Sequence, residues 1–267
     1  MALDKDLKAL EAETIYIIRE AFSQTQPLGM LWSIGKDSTA LLHMVRKAFF
    51  GSVPFPLIML DTGLEFPEVY EFRDKLVKDW NLDLRVADCP PEEQMDQSLP
   101  PATRAASRKT EGLKEFLAAN TFKGLIVGIR RDEQAMRGKE RVFSPRGEAG
   151  TWDHKGQPAE FWGQYTTNVP EGAHLRIHPL LGWTELDIWR YTKQENIPFV
   201  PLYLSKDGKR YRSLGESNIT FPVDSNVDTI DGIIQELAVT KTPERAGRAM
   251  DRETEASFEQ LRLKGYM

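Results

Sequence analysis

The chain has 267 residues, 40% of them hydrophobic, a formal net charge of −5 and a single cysteine, Cys89. This length and apolar content predict a packed core in one large α/β domain with an extension or in two small domains, and the acidic balance argues against a general nucleic-acid binder. One thiol excludes an internal disulfide, a cysteine-rich zinc site and a cysteine-held iron–sulfur cluster. No run reaches the roughly 18 apolar residues of a membrane span, and the charged residues 1–10 lack a signal-peptide core, so a cytoplasmic location is expected.

In chain order, Leu7, Leu10, Ile15, Ile18 and Phe22 give helical spacing over 5–22. Leu28-Gly29-Met30-Leu31 reads as a buried strand, residues 32–38 as a polar turn, and Ala40, Leu41, Met44, Val45 and Ala48 as the stripe of a second helix. Residues 55–60 form a second buried strand ending at Asp61-Thr62; Pro67 then opens a helix bearing Val69, Phe72, Leu76 and Trp80. Residues 82–87 read as a third strand, the Pro-, Ser-, Gln- and Ala-rich 88–107 as a loop, and 108–120 as a helix. Residues 124–129 and 175–180 are the fourth and fifth strands, and Thr184 with Asp187 signals a capped helix start. Beyond 200 the alternation stops, leaving a turn at Lys206-Asp207-Gly208, a helix over 229–238 and a charged end.

Strands alternating with helices predict a doubly wound, mostly parallel five-stranded sheet over 1–200. Residues 201–267 are expected to form an irregular C-terminal extension packed on that domain or on a partner. Ligands of such sheets sit at the carboxyl ends of the strands, so Ser33, Asp61 and Arg130 are expected to face one cleft.

Three clusters carry the chemistry. The first is Ser33-Ile34-Gly35-Lys36-Asp37-Ser38, between a strand and a helix. Unpaired amides at a helix start carry the positive end of its dipole and grip phosphate. This is not a Walker A loop: Gly29 and Gly35 enclose five residues rather than four, and Asp37 rather than Ser or Thr follows Lys36. Lys36 supplies a full charge, and Asp37 either orients it or holds Mg²⁺. The second cluster is Asp61-Thr62-Gly63, whose carboxylate is either a magnesium or water-mediated ligand or a turn-capping aspartate. The third is Gly128-Ile129-Arg130-Arg131-Asp132-Glu133 with Arg137, Lys139 and Arg141. Here Arg130 and Arg131 are the candidate anion contacts, and the other charges are partly a solvated, self-paired face.

The order Ser-x-Gly-Lys-Asp-Ser resembles the PP-loop of ATP pyrophosphatases, which cleave ATP between the α and β phosphates. Further segments extend the resemblance from about residue 28 to 267: Lys109-Thr110-Glu111-Gly112-Leu113, Gly128-Ile129-Arg130-Arg131-Asp132-Glu133, Trp183-Thr184-Glu185-Leu186, Ile197-Pro198-Phe199-Val200-Pro201-Leu202-Tyr203 and Glu244-Arg245-Ala246-Gly247-Arg248. Together they are similar to the small, ATP-binding subunit (subunit 2) of bacterial two-subunit sulfate adenylyltransferase, within the wider phosphoadenylyl-sulfate reductase-like group. The resemblance implies transfer of the adenylyl group of ATP to sulfate, with Mg²⁺, and coupling to a separate GTPase subunit, since this chain has no Walker A loop. It implies nucleotide contacts at Ser33, Ile34, Gly35, Lys36, Asp37, Ser38, Asp61, Thr62 and Gly128, anion contacts at Lys109, Arg130, Arg131 and Arg137, and catalytic roles for Lys36, Arg130 and Arg131. Asp37 and Asp61 are the candidate metal ligands.

The family loop usually carries glycine where Ile34 stands. A β-branched residue predicts ordinary backbone geometry there instead of a positive φ. After Leu214-Gly215 the family often continues with cysteine, whereas this chain has Glu216. A thiol-dependent reductase of adenylyl sulfate or its 3′-phosphorylated form is disfavoured, because the tail has no cysteine. A tRNA-thiolating adenylase would need a basic surface and catalytic cysteines. A non-catalytic or divergent nucleotide-binding subunit and a different oxyanion acceptor stay open as alternatives. The four histidines, His43, His154, His174 and His178, do not cluster and are assigned no metal.

Overall fold

The computed structural model describes residues 5–147, 150–168 and 170–247. Among these, helix α1 (Lys5–Gln24) leads into the buried strand β1 (Leu28–Leu31), which is followed by α2 (Lys36–Ala48), β2 (Leu57–Asp61), α3 (Pro67–Trp80) and β3 (Leu84–Asp88). Then come α4 (Pro101–Ala119), β4 (Gly124–Val127), β5 (Phe143–Arg146), β6 (His174–Ile177) and α5 (Glu185–Glu195). The sheet order is β3-β2-β1-β4-β6-β5, with every pair parallel except β5 with β6.

The doubly wound, mostly parallel sheet is thus present, with six strands rather than five among the described residues. The additional strand, β5, is short, lies at the sheet edge and contains Pro145. Proline suits an edge because it has no N–H to give to a ladder. Neither alternation nor a β-branched run announces this strand; only its pairing with β6 (Phe143 opposite Ile177) defines it.

Side-chain alternation along the strands divides the core into two layers. Met30, Leu57, Met59 and Ile126 face α1, α2, α3 and α5, with Leu41, Met44, Val69, Leu76 and Ile188 packed against them. Leu31, Ile58, Leu60, Leu125 and Val127 face the opposite side, with Leu113 of α4. Helix α4 begins seven residues earlier than the spacing predicts. Pro101 at its first turn already has the right φ, and the following Ala102, Ala105 and Ala106 are buried and are strong helix formers. Cys89 lies against Gly112 of this helix, and burial pushes its thiol up to about 11, which makes it a poor nucleophile.

The capping box expected at Thr184 and Asp187 is formed. Past residue 200, a two-stranded ribbon pairs β7 (Lys209–Arg210) with β8 (Val223–Asp224), and α6 (Ile230–Val239) follows, starting at a Thr229 cap. These parts pack back on the sheet domain. Ser217 N–H donates to Leu64 O at 2.8 Å, Arg210 pairs with Glu236, and the turn Glu244–Gly247 returns to the start of α2. The rest of the expected extension, 248–267, lies outside the described residues. Among the described residues no helix is long and apolar enough to cross a membrane.

Candidate functional site

The chain leaves β1 for β2 and β3 on one side of the sheet, then returns to place β4 on the other. The carboxyl ends of β1 and β4 therefore flank the topological switch point, where open α/β sheets bind their ligands. The loop after β1 and the segment after β4 both open there. Gly128 makes their close approach possible: a Cβ on it would lie 3.1 Å from Ser38 Cα and 3.3 Å from Ser38 N.

The loop is pinned from below by Trp32, whose buried indole Nε1 donates to Thr39 Oγ1 at 3.2 Å. Ile34 then takes φ +59°, a left-handed conformation. This overturns the ordinary geometry expected of a β-branched residue. The exclusion is energetic, about 1–2 kcal/mol, and the Ile34 side chain offsets it by burying all but 1% of its surface in the main core. The turn lets Gly35 cap α2 with extended backbone and no side-chain cap, and the first turn, whose Lys36 N–H donates to the Tyr203 hydroxyl at 3.0 Å, lines the cleft. Ser33 and Ser38 hydroxyls lie 3.1 Å apart beside it.

Lys36 is only 3% exposed. Its Nζ donates to Asp37 Oδ2 at 3.1 Å and Arg212 O at 3.3 Å and pairs with Glu244. Arg130 is fully buried and pairs with Asp37, Asp132 (2.9 Å) and Glu244. Burial lowers the Arg130 pKa, but Glu244 and Asp132 more than compensate and raise it. Asp132 also caps α5, accepting from Glu185 N–H at 2.8 Å. Beyond this knot, Arg137 and Arg245 both pair with Glu133, and Lys109 Nζ donates to Glu65 at 2.8 Å.

One cavity gathers most of the sequence candidates: Ser33, Gly35, Lys36, Asp37, Ser38, Lys109, Gly128 and Arg137 all line it. Arg130 sits just beneath, touching the lining through Asp37. Asp61 and Thr62 are outside the lining. Asp61 accepts from Gly63 N–H (2.8 Å) and the Tyr70 hydroxyl (2.7 Å), so it shapes the turn after β2. Thr62 is buried, and its carbonyl accepts from Arg108. Arg131 is exposed and does not line the cavity either. In its place the fold brings Arg245 and Tyr203, neither assigned a site role by sequence reasoning, and Glu133, read there only as part of the self-paired charged cluster. Glu244, Arg245 and Tyr203 do fall inside the segments that carried the resemblance, and that was the available signal. Leu31, Ile58, Met59, Leu60, Val127 and Ile129 complete an apolar wall.

Asp37 stands at the loop with its two oxygens on Lys36 and Arg130, so it fits as one magnesium ligand only where nucleotide phosphates draw those cations off it. Asp61 does not fit, being committed to its turn. Among the described residues no three His, Cys, Asp or Glu side chains converge as a metal cage, and magnesium commonly needs only one or two carboxylates besides phosphate oxygens.

Residues 27–222 match the phosphoadenosine phosphosulfate reductase domain family. The fold agrees. A structure of Candida glabrata FMN adenylyltransferase aligns with a TM-score of 0.61 at 19% identity, covering 93% of this chain and 91% of that one. Phosphoadenylyl-sulfate reductase from Candida auris aligns at 0.52 and 17% identity, covering 82% and 98%. At such identities the likeness is one of fold alone. The class is therefore an α/β nucleotide-binding protein with a PP-loop at its switch point.

Within that class, sulfate adenylyltransferase subunit 2 of Colwellia psychrerythraea is 40% identical over 295 residues, 97% of this chain and 98% of that protein. The protein of the same name from Pseudomonas fluorescens is 40% identical over 299 residues, 97% of each chain. The chain belongs to the sulfate adenylyltransferase subunit 2 family, a family of nucleotidyltransferases.

Proposed function

We propose that the chain transfers the adenylyl group of ATP to sulfate, giving adenylyl sulfate and pyrophosphate. The observation that carries this reading is the convergence, at the ends of β1 and β4, of the first turn of α2, Lys36 and a set of arginines around one cavity. A sulfate oxygen attacks the α phosphorus. The bond from that phosphorus to the oxygen of the β phosphate breaks, and its electron pair leaves with pyrophosphate.

The obstacle is charge. Each pair of like unit charges about 4 Å apart costs on the order of 4 kcal/mol at an effective dielectric of 20. The first-turn amides of α2, Ser33, Ser38 and Lys36 suit the leaving pyrophosphate; Lys109, Arg137 and Arg245 suit sulfate and the α phosphate. Arg130 supports both through Asp37. The apolar wall from Leu31 to Ile129 suits the adenine ring. Mg²⁺ would screen the phosphate charge and would be held on the protein side by Asp37. Sulfate is already ionised, so positioning and preorganised charge suffice without a general base.

The relatives are named as subunit 2, which implies a partner subunit. We infer that this partner is a GTPase whose turnover drives the unfavourable formation of the phosphosulfate bond. Pyrophosphate release from ATP, measured with and without sulfate in the presence of the partner, tests the reading. Absence of sulfate-dependent release would favour a nucleotide-binding subunit without catalysis, and release with selenate or molybdate but not sulfate would reassign the acceptor.

A further inference from the structure

The two central cations of the anion grip are bridged by a carboxylate from the end of the described chain. Glu244 opens the turn Glu244–Gly247, and one of its oxygens pairs with Lys36 Nζ, the other with Arg130 Nη2. A lysine ammonium has three donors, and all three are in use, on Glu244, Asp37 and the Arg212 carbonyl. The three nitrogens of Arg130 likewise donate to Asp132, Asp37 and Glu244. A second group of the extension, the Tyr203 hydroxyl, accepts from the Lys36 backbone N–H at 3.0 Å, at the first turn of α2. Burial would raise the Glu244 carboxyl, but Lys36 and Arg130 hold it well below the usual carboxylate range, so it is charged at neutral pH.

A phosphate oxygen cannot take a Lys36 donor until one of the three acceptors leaves. Asp37 is adjacent in sequence and also holds Arg130. The Arg212 carbonyl belongs to backbone anchored by its own guanidinium to Glu185 (2.6 Å) and Thr242 O (2.7 Å). Glu244 reaches both cations through its side chain alone, so it is the acceptor that can leave by a change of rotamer while Arg245 keeps the turn on Glu133. Its departure leaves both cations compensated by Asp37 and Asp132.

We propose that Glu244 is an internal competitor of the anion grip: it occupies the pyrophosphate seat as a built-in anion and yields it only to a ligand that displaces its carboxylate from Lys36 and Arg130. The inference rests on the PP-loop reading above. An internal competitor lowers the apparent affinity of every displacing ligand by the fraction of time the seat is open. A tightly held polyanion stays within its working range under that handicap. A weakly held dianion does not, so sulfate is kept from lodging where pyrophosphate must leave.

The test is calorimetric titration of inorganic pyrophosphate and of orthophosphate into the full chain at constant ionic strength. Wild type, Glu244→Gln and Glu244→Asp are compared, with Lys36→Ala as the control that loses binding. Both Glu244 variants should bind pyrophosphate about tenfold more tightly, the factor expected if the seat is open a tenth of the time, and orthophosphate binding should strengthen alongside. Unchanged or weaker binding in folded variants overturns the proposal and leaves Glu244 as a support for Lys36. If the variants do not fold, amide exchange in the wild type decides. Pyrophosphate should speed exchange in residues 244–247 as the tie of Glu244 to Lys36 and Arg130 is lost, and added protection there overturns the proposal. Failure of the wild type itself to bind pyrophosphate removes the loop reading, and this inference with it.

Discussion

Ile34 illustrates how a residue rule yields to its surroundings. Its left-handed φ costs about 1–2 kcal/mol, while truncating a buried aliphatic of this size costs about 2–5 kcal/mol. Ile34→Gly removes the strain and the burial together, so a net loss of about 1–3 kcal/mol is expected in chemical denaturation, with pyrophosphate binding retained because the backbone path suits glycine. A gain in stability would show that strain outweighs packing at this position. Lys36 is the opposite case, a residue whose type was legible but whose partners were not. Lys36→Ala is expected to lower sulfate-dependent turnover by at least about 100-fold, the scale of removing one preorganised charge donor. Near-normal turnover would end its assignment to the leaving group. The charge of Lys36 and its place before a helix could be read from the loop. Its bonds to Arg212 and Glu244 could not, because those partners are 176 and 208 residues away.

At the scale of elements, the meeting of β4 with α2 depends on one missing side chain. Gly128→Ala would put a methyl group 3.1 Å from Ser38 Cα, backbone that cannot swing aside. Overpacking of this kind costs about 1–3 kcal/mol, and the displaced first turn should weaken pyrophosphate binding as well. A variant that loses stability without losing binding would show that the loop adapts.

Strand β6 makes a second testable point, with His174 at its start and His178 just past its end. Burial, reinforced by Arg176 and Arg146, pushes His174 down to about 3. Burial outweighs the pull of Glu140 and holds His178 at about 4. Both are depressed from an ordinary 6.5, so the unfolded chain binds more protons on acidification. The stability they contribute is complete above about pH 6.5 and is lost as pH falls toward those folded values. Each histidine should add a slope of up to about 1.4 kcal/mol per pH unit between pH 6.5 and 5. Denaturation midpoints of wild type and a His174→Gln, His178→Gln double variant would measure it, and equal slopes would refute it.

The molecule as a whole brings the loop after β1 and the turn Glu244–Gly247 onto one cavity, and this redistributes the roles of its arginines. The pair Arg130-Arg131 looks equivalent in sequence, yet adjacent residues after a strand point in different directions. Arg130 is buried in the ion-pair knot and Arg131 faces outward. Arg137 and Arg245, joined through Glu133, hold the cavity wall instead. Arg245→Ala is therefore expected to raise the KM for sulfate about 10- to 100-fold, the equivalent of one charge-assisted hydrogen bond, with a smaller effect on the KM for ATP. Arg131→Ala should change either by less than about threefold, within the range of an exposed charge. Steady-state kinetics with the partner subunit present distinguishes them, and the reverse ranking would restore Arg131 to the site.

Hydrophobic alternation, the Pro67 and Thr184 helix starts and the Gly-Lys-Asp turn are local codes, read within a few residues. They were enough to place the strands and helices of the parallel sheet and a phosphate-gripping loop at its switch point, while the class of chemistry came from the resemblance. The alanine-rich start of α4 was also written locally, though its prolines masked it. Strand β5, the left-handed Ile34, the choice of Arg245 over Arg131 and the carboxylate of Glu244 within the phosphate grip were decided only by tertiary structure. Each depends on what a distant segment presents: a strand edge to pair with, a core to fill or a charge to neutralise. Spacing along the chain records which groups are available, and packing determines which of them meet.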